Sequence, residues 1–143
     1  MTARLHQNVL VVDDDGAILS ALSRVLVRAG YDCLTAENLH DAVRQVRQNG
    51  PQLGLVVTDL SLSGESGMTL IHHLHRRHPS VPVVVLTAFG DWDLYAESLG
   101  EGVLEFLSKP IQPEAIVAVV ERVLGPPKVR KRGGVAGGAG RPV

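Results

Sequence analysis

Cysteine, aromatic side chains and long apolar runs are all scarce in this 143-residue chain, and each shortage closes off a class of protein. The lone cysteine, Cys33, cannot form an internal disulfide. That argues against a disulfide-stapled scaffold and suits a reducing compartment. Cys33 stands among Tyr31, Leu34 and Ala36, so the sequence predicts a strand there and a buried, unreactive thiol. Aromatic residues make up only 3% of the chain, which leaves Val, Leu, Ile and Ala to build the core. No apolar run is long enough to span a bilayer, since even Val81 to Leu86 is short and contains Pro82. The start, Met1 to Asn8, lacks a charged segment followed by an apolar stretch and a cleavage site. Export is therefore not expected, and a cytoplasmic location is. Net charge is also nearly absent, at −1, but its distribution is uneven. Met1 to Pro127 holds nine Lys or Arg against all fifteen acids, whereas Lys128 to Val143 holds five bases and no acid.

The body alternates two kinds of segment. Val9-Leu10-Val11-Val12, Leu55-Val56-Val57-Thr58 and Val83-Val84-Val85-Leu86 are continuous β-branched or apolar runs, as in parallel strands covered on both faces. Cys33 to Ala36 and Val103 to Leu107 fit weaker strands nearer an edge. Helical spacing lies between them: Ile18, Leu22, Val25 and Leu26; Ala42, Val43 and Val46; Leu70, Ile71 and Leu74; and Ile116, Val119, Val120, Val123 and Leu124. The fourth helix, Asp91 to Leu99, has the least distinct stripe. Gly30 and Gly50 stand where helices should stop, Gly67 opens the third helix, and Pro113 fits the first turn of the last. Five alternations of strand and helix predict a doubly wound α/β sandwich. A single domain over residues 1–124 is expected. The remaining 125–143, with Gly125-Pro126-Pro127, a basic run and a Gly/Ala-rich end, should be a disordered tail or linker.

In an open α/β sheet, ligands bind beyond the carboxyl ends of the strands. Asp13, Asp14 and Asp15 follow the first strand, Asp59 the third, Thr87 the fourth, and Lys109-Pro110 the fifth. Clustered carboxylates repel one another unless a cation neutralises them. Oxygen ligands without nearby His or Cys suit Mg²⁺. A metal, a carboxylate nucleophile, a lysine and a hydroxyl are the parts required for phosphoryl transfer to a carboxylate. Helix capping accounts for one strand-end Asp more simply than chemistry does, but not for the whole set.

Val11-Val12-Asp13-Asp14-Asp15, Val57-Thr58-Asp59-Leu60, Leu86-Thr87-Ala88 and Phe106-Leu107-Ser108-Lys109-Pro110 resemble the four signatures of response-regulator receiver domains. The resemblance runs from about Asn8 to Leu124, and the motifs stand in order at compatible spacing. It implies a flavodoxin-like (βα)₅ fold whose parallel sheet has strand order 2-1-3-4-5. It also implies that Asp59 is the phosphoacceptor, supplied by a sensor histidine kinase or histidine phosphotransferase. Asp13, Asp14, Asp59 and the backbone carbonyl of Ser61 would hold Mg²⁺, with Mn²⁺ as a substitute. Lys109 would pair with the acyl phosphate, with a cis peptide to Pro110, and Thr87 and Phe106 would form the switch pair. The surface of the fourth helix, fifth strand and fifth helix would then control a downstream protein, an output domain or a phosphorylation-linked homodimer.

The chain departs from the family pattern where Ser63 replaces a common Pro and Phe106 a frequent Tyr. The resemblance implies that two variable positions, here Ser61 and Phe89, influence loss of the phosphoryl group, and a bulky Phe89 should hinder water and lengthen its lifetime. His72, His73, His75 and His78 on the third helix fit a solvated face better than a metal site. Trp92 fits ordinary packing of the fourth helix better than a partner surface. Gly64-Glu65-Ser66-Gly67-Met68 is not a nucleophile elbow, and no P-loop is present. The basic tail without aromatic framing argues against direct nucleic-acid binding. Two rivals remain: an enzyme using an aspartyl-phosphate intermediate, which would carry an acid where Ser61 stands, and a phosphorylation-independent binding module.

Overall fold

The computed structural model describes residues 8–127. The elements in chain order are β1 Asn8–Val12, α1 Gly16–Arg28, β2 Asp32–Ala36, α2 Leu39–Asn49, β3 Leu53–Asp59, β4 Ser61–Leu62, β5 Glu65–Ser66, α3 Gly67–Arg77, β6 Val83–Thr87, α4 Trp92–Leu99, β7 Glu105–Ser108 and α5 Pro113–Leu124. Five strands form one sheet in the order β2-β1-β3-β6-β7, all neighbours parallel. With the two-residue strands β4 and β5 set aside, this is the 2-1-3-4-5 order expected of a flavodoxin-like fold.

The continuous apolar runs become strands buried on both faces because successive side chains point to opposite sides. Leu10, Val12, Val56, Val83 and Val85 join Ala42 and Val46 of α2 and Met68, Leu70, Ile71 and Leu74 of α3. On the opposite face, Val9, Val11, Leu55, Val57, Val84 and Leu86 join Leu19, Leu22 and Leu26 of α1 and Ile116, Val119 and Val120 of α5. Each fully buried Val or Leu contributes about 1.5–3 kcal/mol relative to an exposed one. β3, at the centre, is buried at every residue, which makes its carboxyl end a rigid platform.

Boundaries follow the expected punctuation with some changes of cause. Pro113 occupies the first turn of α5. Gly50 ends α2 in position, but its backbone is helical and opens a short 3-10 turn over Gly50–Gln52. The demand for glycine there is steric: a Cβ would meet His78 Nε2 at 2.2 Å. The last sheet strand starts at Glu105, two residues later than the run at Val103 suggests. The hairpin β4–β5 was not expected, and Ser63 and Gly64 close it with φ of 49° and 87°. Beyond α5, the Gly125 carbonyl accepts a 2.8 Å hydrogen bond from Tyr31 Oη. The expected disordered tail lies mostly in residues 128–143, outside the described residues.

Candidate functional site

Four parallel strands end on one rim and each delivers a polar residue there. Asp59 is the last residue of β3 and Thr87 the last of β6, while Asp13 follows β1 and Lys109 follows β7. The Asp13 N–H is tied to Ala36 O at 3.2 Å and the Lys109 N–H to Thr87 O at 2.8 Å, so the sheet ladder continues into the site. The Lys109–Pro110 peptide is cis.

Lys109 Nζ donates a 2.6 Å hydrogen bond to Asp59 Oδ2 and lies 2.9 Å from Asp13 Oδ2. The second contact is an ion pair without hydrogen-bond geometry, so Asp13 Oδ2 is buried with its acceptor capacity unfilled. Asp13 Oδ1 accepts from the Asp15 N–H at 2.9 Å, and Asp59 Oδ1 from the Ser61 N–H at 3.0 Å. Asp14 Oδ2 accepts twice from Ser63, from its N–H at 2.9 Å and its hydroxyl at 2.8 Å. Ligand atoms of Asp13, Asp14 and Asp59 lie within 4.8 Å of one another. The three consecutive acids thus divide their labour. Asp15 caps α1, accepting from the N–H groups of Ala17 and Ile18, while Asp13 and Asp14 face the rim.

Electrostatics set the members apart. Burial raises the Asp13 carboxyl above its ordinary value, against the opposing pull of Lys109. The Ser63 hydroxyl lowers that of Asp14, outweighing its slight desolvation. Burial works to lower the Lys109 ammonium, but its contacts with the Asp59 and Asp13 carboxylates prevail and raise it. Lys109 alone cannot balance three clustered carboxylates. Hard oxygen donors and an unfilled buried oxygen fit a hard divalent cation, in which the carboxylates would be direct ligands.

Thr87 and Phe106 border a cleft of about 400 Å³ beside Lys109, completed by Phe89, Trp92 and Tyr95. The half-buried Phe106 ring meets Tyr95 of α4 edge to face, with centroids 4.8 Å apart. This partner was not legible in the sequence, because the weak stripe of α4 hid which of its residues turn inward. Phe89 departs from expectation. It is 93% exposed and packs edge to face on Trp92 at 5.9 Å, so its ring does not cover Asp59. The shielding that would lengthen a phosphoryl lifetime has no support in this arrangement. Trp92 is itself 63% exposed rather than packed into the helix face.

The α3 histidines also differ from a uniformly solvated face. His73 is buried, its Nε2 has no hydrogen-bond partner, and burial followed by nearby Arg77 and Arg47 lowers its basicity. His72 and His75 both approach Glu101, at 3.2 and 3.4 Å. Among the described residues, they form no three-residue group with metal-ligand spacing. Cys33 is half-buried, with its thiol pushed up chiefly by burial, in keeping with an inert role. No helix among the described residues is long and apolar enough to cross a membrane.

The chain is similar to known proteins over most of its described length. Residues 9–121 match the family model described as the response regulator receiver domain. The chain is 34% identical over 116 residues to the DNA-binding transcriptional regulator NtrC of Salmonella typhimurium, covering 81% of this chain and 24% of that protein. It is 34% identical over 120 residues to the phosphate regulon transcriptional regulatory protein PhoB of Pseudomonas aeruginosa, covering 82% and 52% respectively. The chain thus spans between a quarter and about half of these curated relatives. Among solved structures, a response regulator receiver domain protein from Clostridium thermocellum superposes with a TM-score of 0.76 at 27% identity, covering 82% of this chain and 93% of that one. The receiver domain of NtrX from Brucella abortus gives 0.73 at 28% identity, covering 81% and 97%. The chain belongs to the response regulator receiver domain family.

Proposed function

We propose that this receiver domain is a phosphorylation-driven switch that accepts a phosphoryl group on Asp59 from a phosphohistidine of a sensor histidine kinase or histidine phosphotransferase. The observation that carries the reading is the bridging ammonium: Lys109 Nζ sits 2.6 Å from Asp59 and 2.9 Å from Asp13 at the edge of the carboxylate cluster. An Asp59 carboxylate oxygen attacks phosphorus while the phosphorus–nitrogen bond breaks, and the departing imidazole keeps the electron pair and takes up a proton. Lys109 offsets the negative charge gathered on the phosphoryl oxygens, and the Thr87 hydroxyl, on the same rim, supplies a hydrogen bond to one of them. Bound Mg²⁺, or Mn²⁺ in its place, would supply Lewis-acid charge neutralisation, held by Asp13, Asp14, Asp59 and the Ser61 carbonyl.

The new charge draws Thr87 towards the acceptor, and Phe106 follows into the space behind it. Because Phe106 packs on Tyr95, that movement reaches α4 and biases the surface of α4, β7 and α5. The occupant of that surface would be a downstream protein, an output domain reached through residues 125–143, or a second copy of the domain. The rival enzyme reading is disfavoured by Ser61, which offers no acid/base group where an aspartyl-phosphate enzyme needs one.

The test is intact mass after incubation with acetyl phosphate, with and without Mg²⁺, for the wild type and Asp59→Asn. Gain of one phosphoryl mass by the wild type alone, and only with the metal, is the expected result. Equal modification of both proteins would move the acceptor elsewhere, and modification of neither would leave a binding module on a receiver fold.

A further inference from the structure

The hairpin after Asp59 does more than turn the chain. Ser63 takes φ of 49°, a left-handed backbone that costs a non-glycine residue about 1–2 kcal/mol. Proline, fixed near −65°, could not adopt it and has no N–H to donate. What the strained position achieves is a contact across 49 residues of sequence: the Ser63 N–H and hydroxyl both converge on Asp14 Oδ2, at 2.9 and 2.8 Å. Two donors fill the two favourable lone-pair directions of that oxygen. Asp14 is exposed and would otherwise sample several rotamers, so the paired contact also fixes its direction.

A carboxylate capped in this way can present only its other oxygen to a cation. Mg²⁺ requires short, near-octahedral geometry and takes carboxylates through one oxygen, whereas Ca²⁺ accepts both oxygens and a looser shell. Taking the acidic cluster as the Mg²⁺ site of the phosphoacceptor, we propose that Ser63 is a positioning residue that holds Asp14 as a one-oxygen ligand and so favours Mg²⁺ over Ca²⁺. Ser63 touches neither the reacting atoms nor the cation. It acts through Asp14, as hydrogen-bond partners behind metal ligands commonly do.

Ser63→Gly isolates the effect. Glycine keeps the positive φ and the N–H and deletes only the hydroxyl. The full chain and this variant are titrated calorimetrically with MgCl₂ and with CaCl₂, and the rate of phosphoryl acceptance from acetyl phosphate is followed against Mg²⁺ concentration. The Mg²⁺ Kd of the variant should rise about three- to ten-fold, at or below the usual range for such partners because this contact is solvent-exposed. The Ca²⁺ Kd should change less, and acceptance at saturating Mg²⁺ should match the wild type. An unchanged Mg²⁺ Kd, or equal weakening of both cations, overturns the role of Ser63 while leaving the acceptor reading intact. A wild type that binds no Mg²⁺ overturns the acceptor reading itself, and this inference with it.

Discussion

Asp13 is fully buried, and its surroundings oppose its charge even with Lys109 beside it. A carboxyl whose folded-state pKa is raised favours the fold while protonated, and that contribution is lost as pH rises through the folded value. The metal-free protein therefore carries a stability penalty at neutral pH that vanishes below about 3.8, the ordinary value of the group. Asp13→Asn removes the buried charge and should stabilise the metal-free protein at pH 7 by about 1 kcal/mol, the low end of the cost of burying a poorly compensated polar group because Lys109 offsets part of it. Denaturant titration across pH checks this, and the gain should disappear at pH 3. Added Mg²⁺ should reverse the order at neutral pH, because only the wild type gains full binding energy from it. At this scale the acids and the lysine were legible, because each follows directly from a strand and the rule for strand ends does the placing. Ser63 was not. Its partner is 49 residues away and its reach depends on a backbone dihedral that residue type alone does not set.

The element that aims Asp59 is the junction between β3 and α3. The Gly67 N–H donates to Leu60 O at 2.7 Å, and a Cβ on Gly67 would stand 2.2 Å from the Asp59 carbonyl oxygen. This glycine is required by close approach of backbone, not by an unusual φ. Gly67→Ala should cost about 1–3 kcal/mol, typical of overpacking, and should also slow phosphoryl acceptance at saturating Mg²⁺ by shifting the acceptor residue. Chemical denaturation and the acetyl phosphate rate measure the two effects, and loss of stability with an unchanged rate would refute the link. The start of α3 at Gly67 could be read from the sequence, but the reason for the glycine could not, since it depends on β3 passing beside it. The same limit applies along α3. His73 carries a polar label in an otherwise apolar stripe, so its burial facing α2 escapes a pattern built on side-chain polarity. On α4 the apolar Leu94 and Tyr95 are only partly buried and the fully buried residue is the polar Ser98, so an eight-residue helix gives little periodicity to detect.

For the whole molecule, long β-branched runs separated by helical stripes leave few arrangements that bury both faces of a sheet, and the observed strand order is one of them. That is why fold and rim were legible together: placing the strands places their carboxyl ends, and the ends carry the chemistry. The surface proposed to report the switch was less so, because Tyr95 and Phe106 meet only through the packing of α4 against β7. On the reading proposed above, one rim directs a phosphoryl group to a single carboxylate among three neighbours. Borohydride reduces an acyl phosphate on aspartate to homoserine, which peptide mass spectrometry can locate. After incubation with acetyl phosphate and Mg²⁺, homoserine should appear at position 59 and nowhere else. Homoserine at position 13 or 14, or at no aspartate, would mean that the rim does not select Asp59.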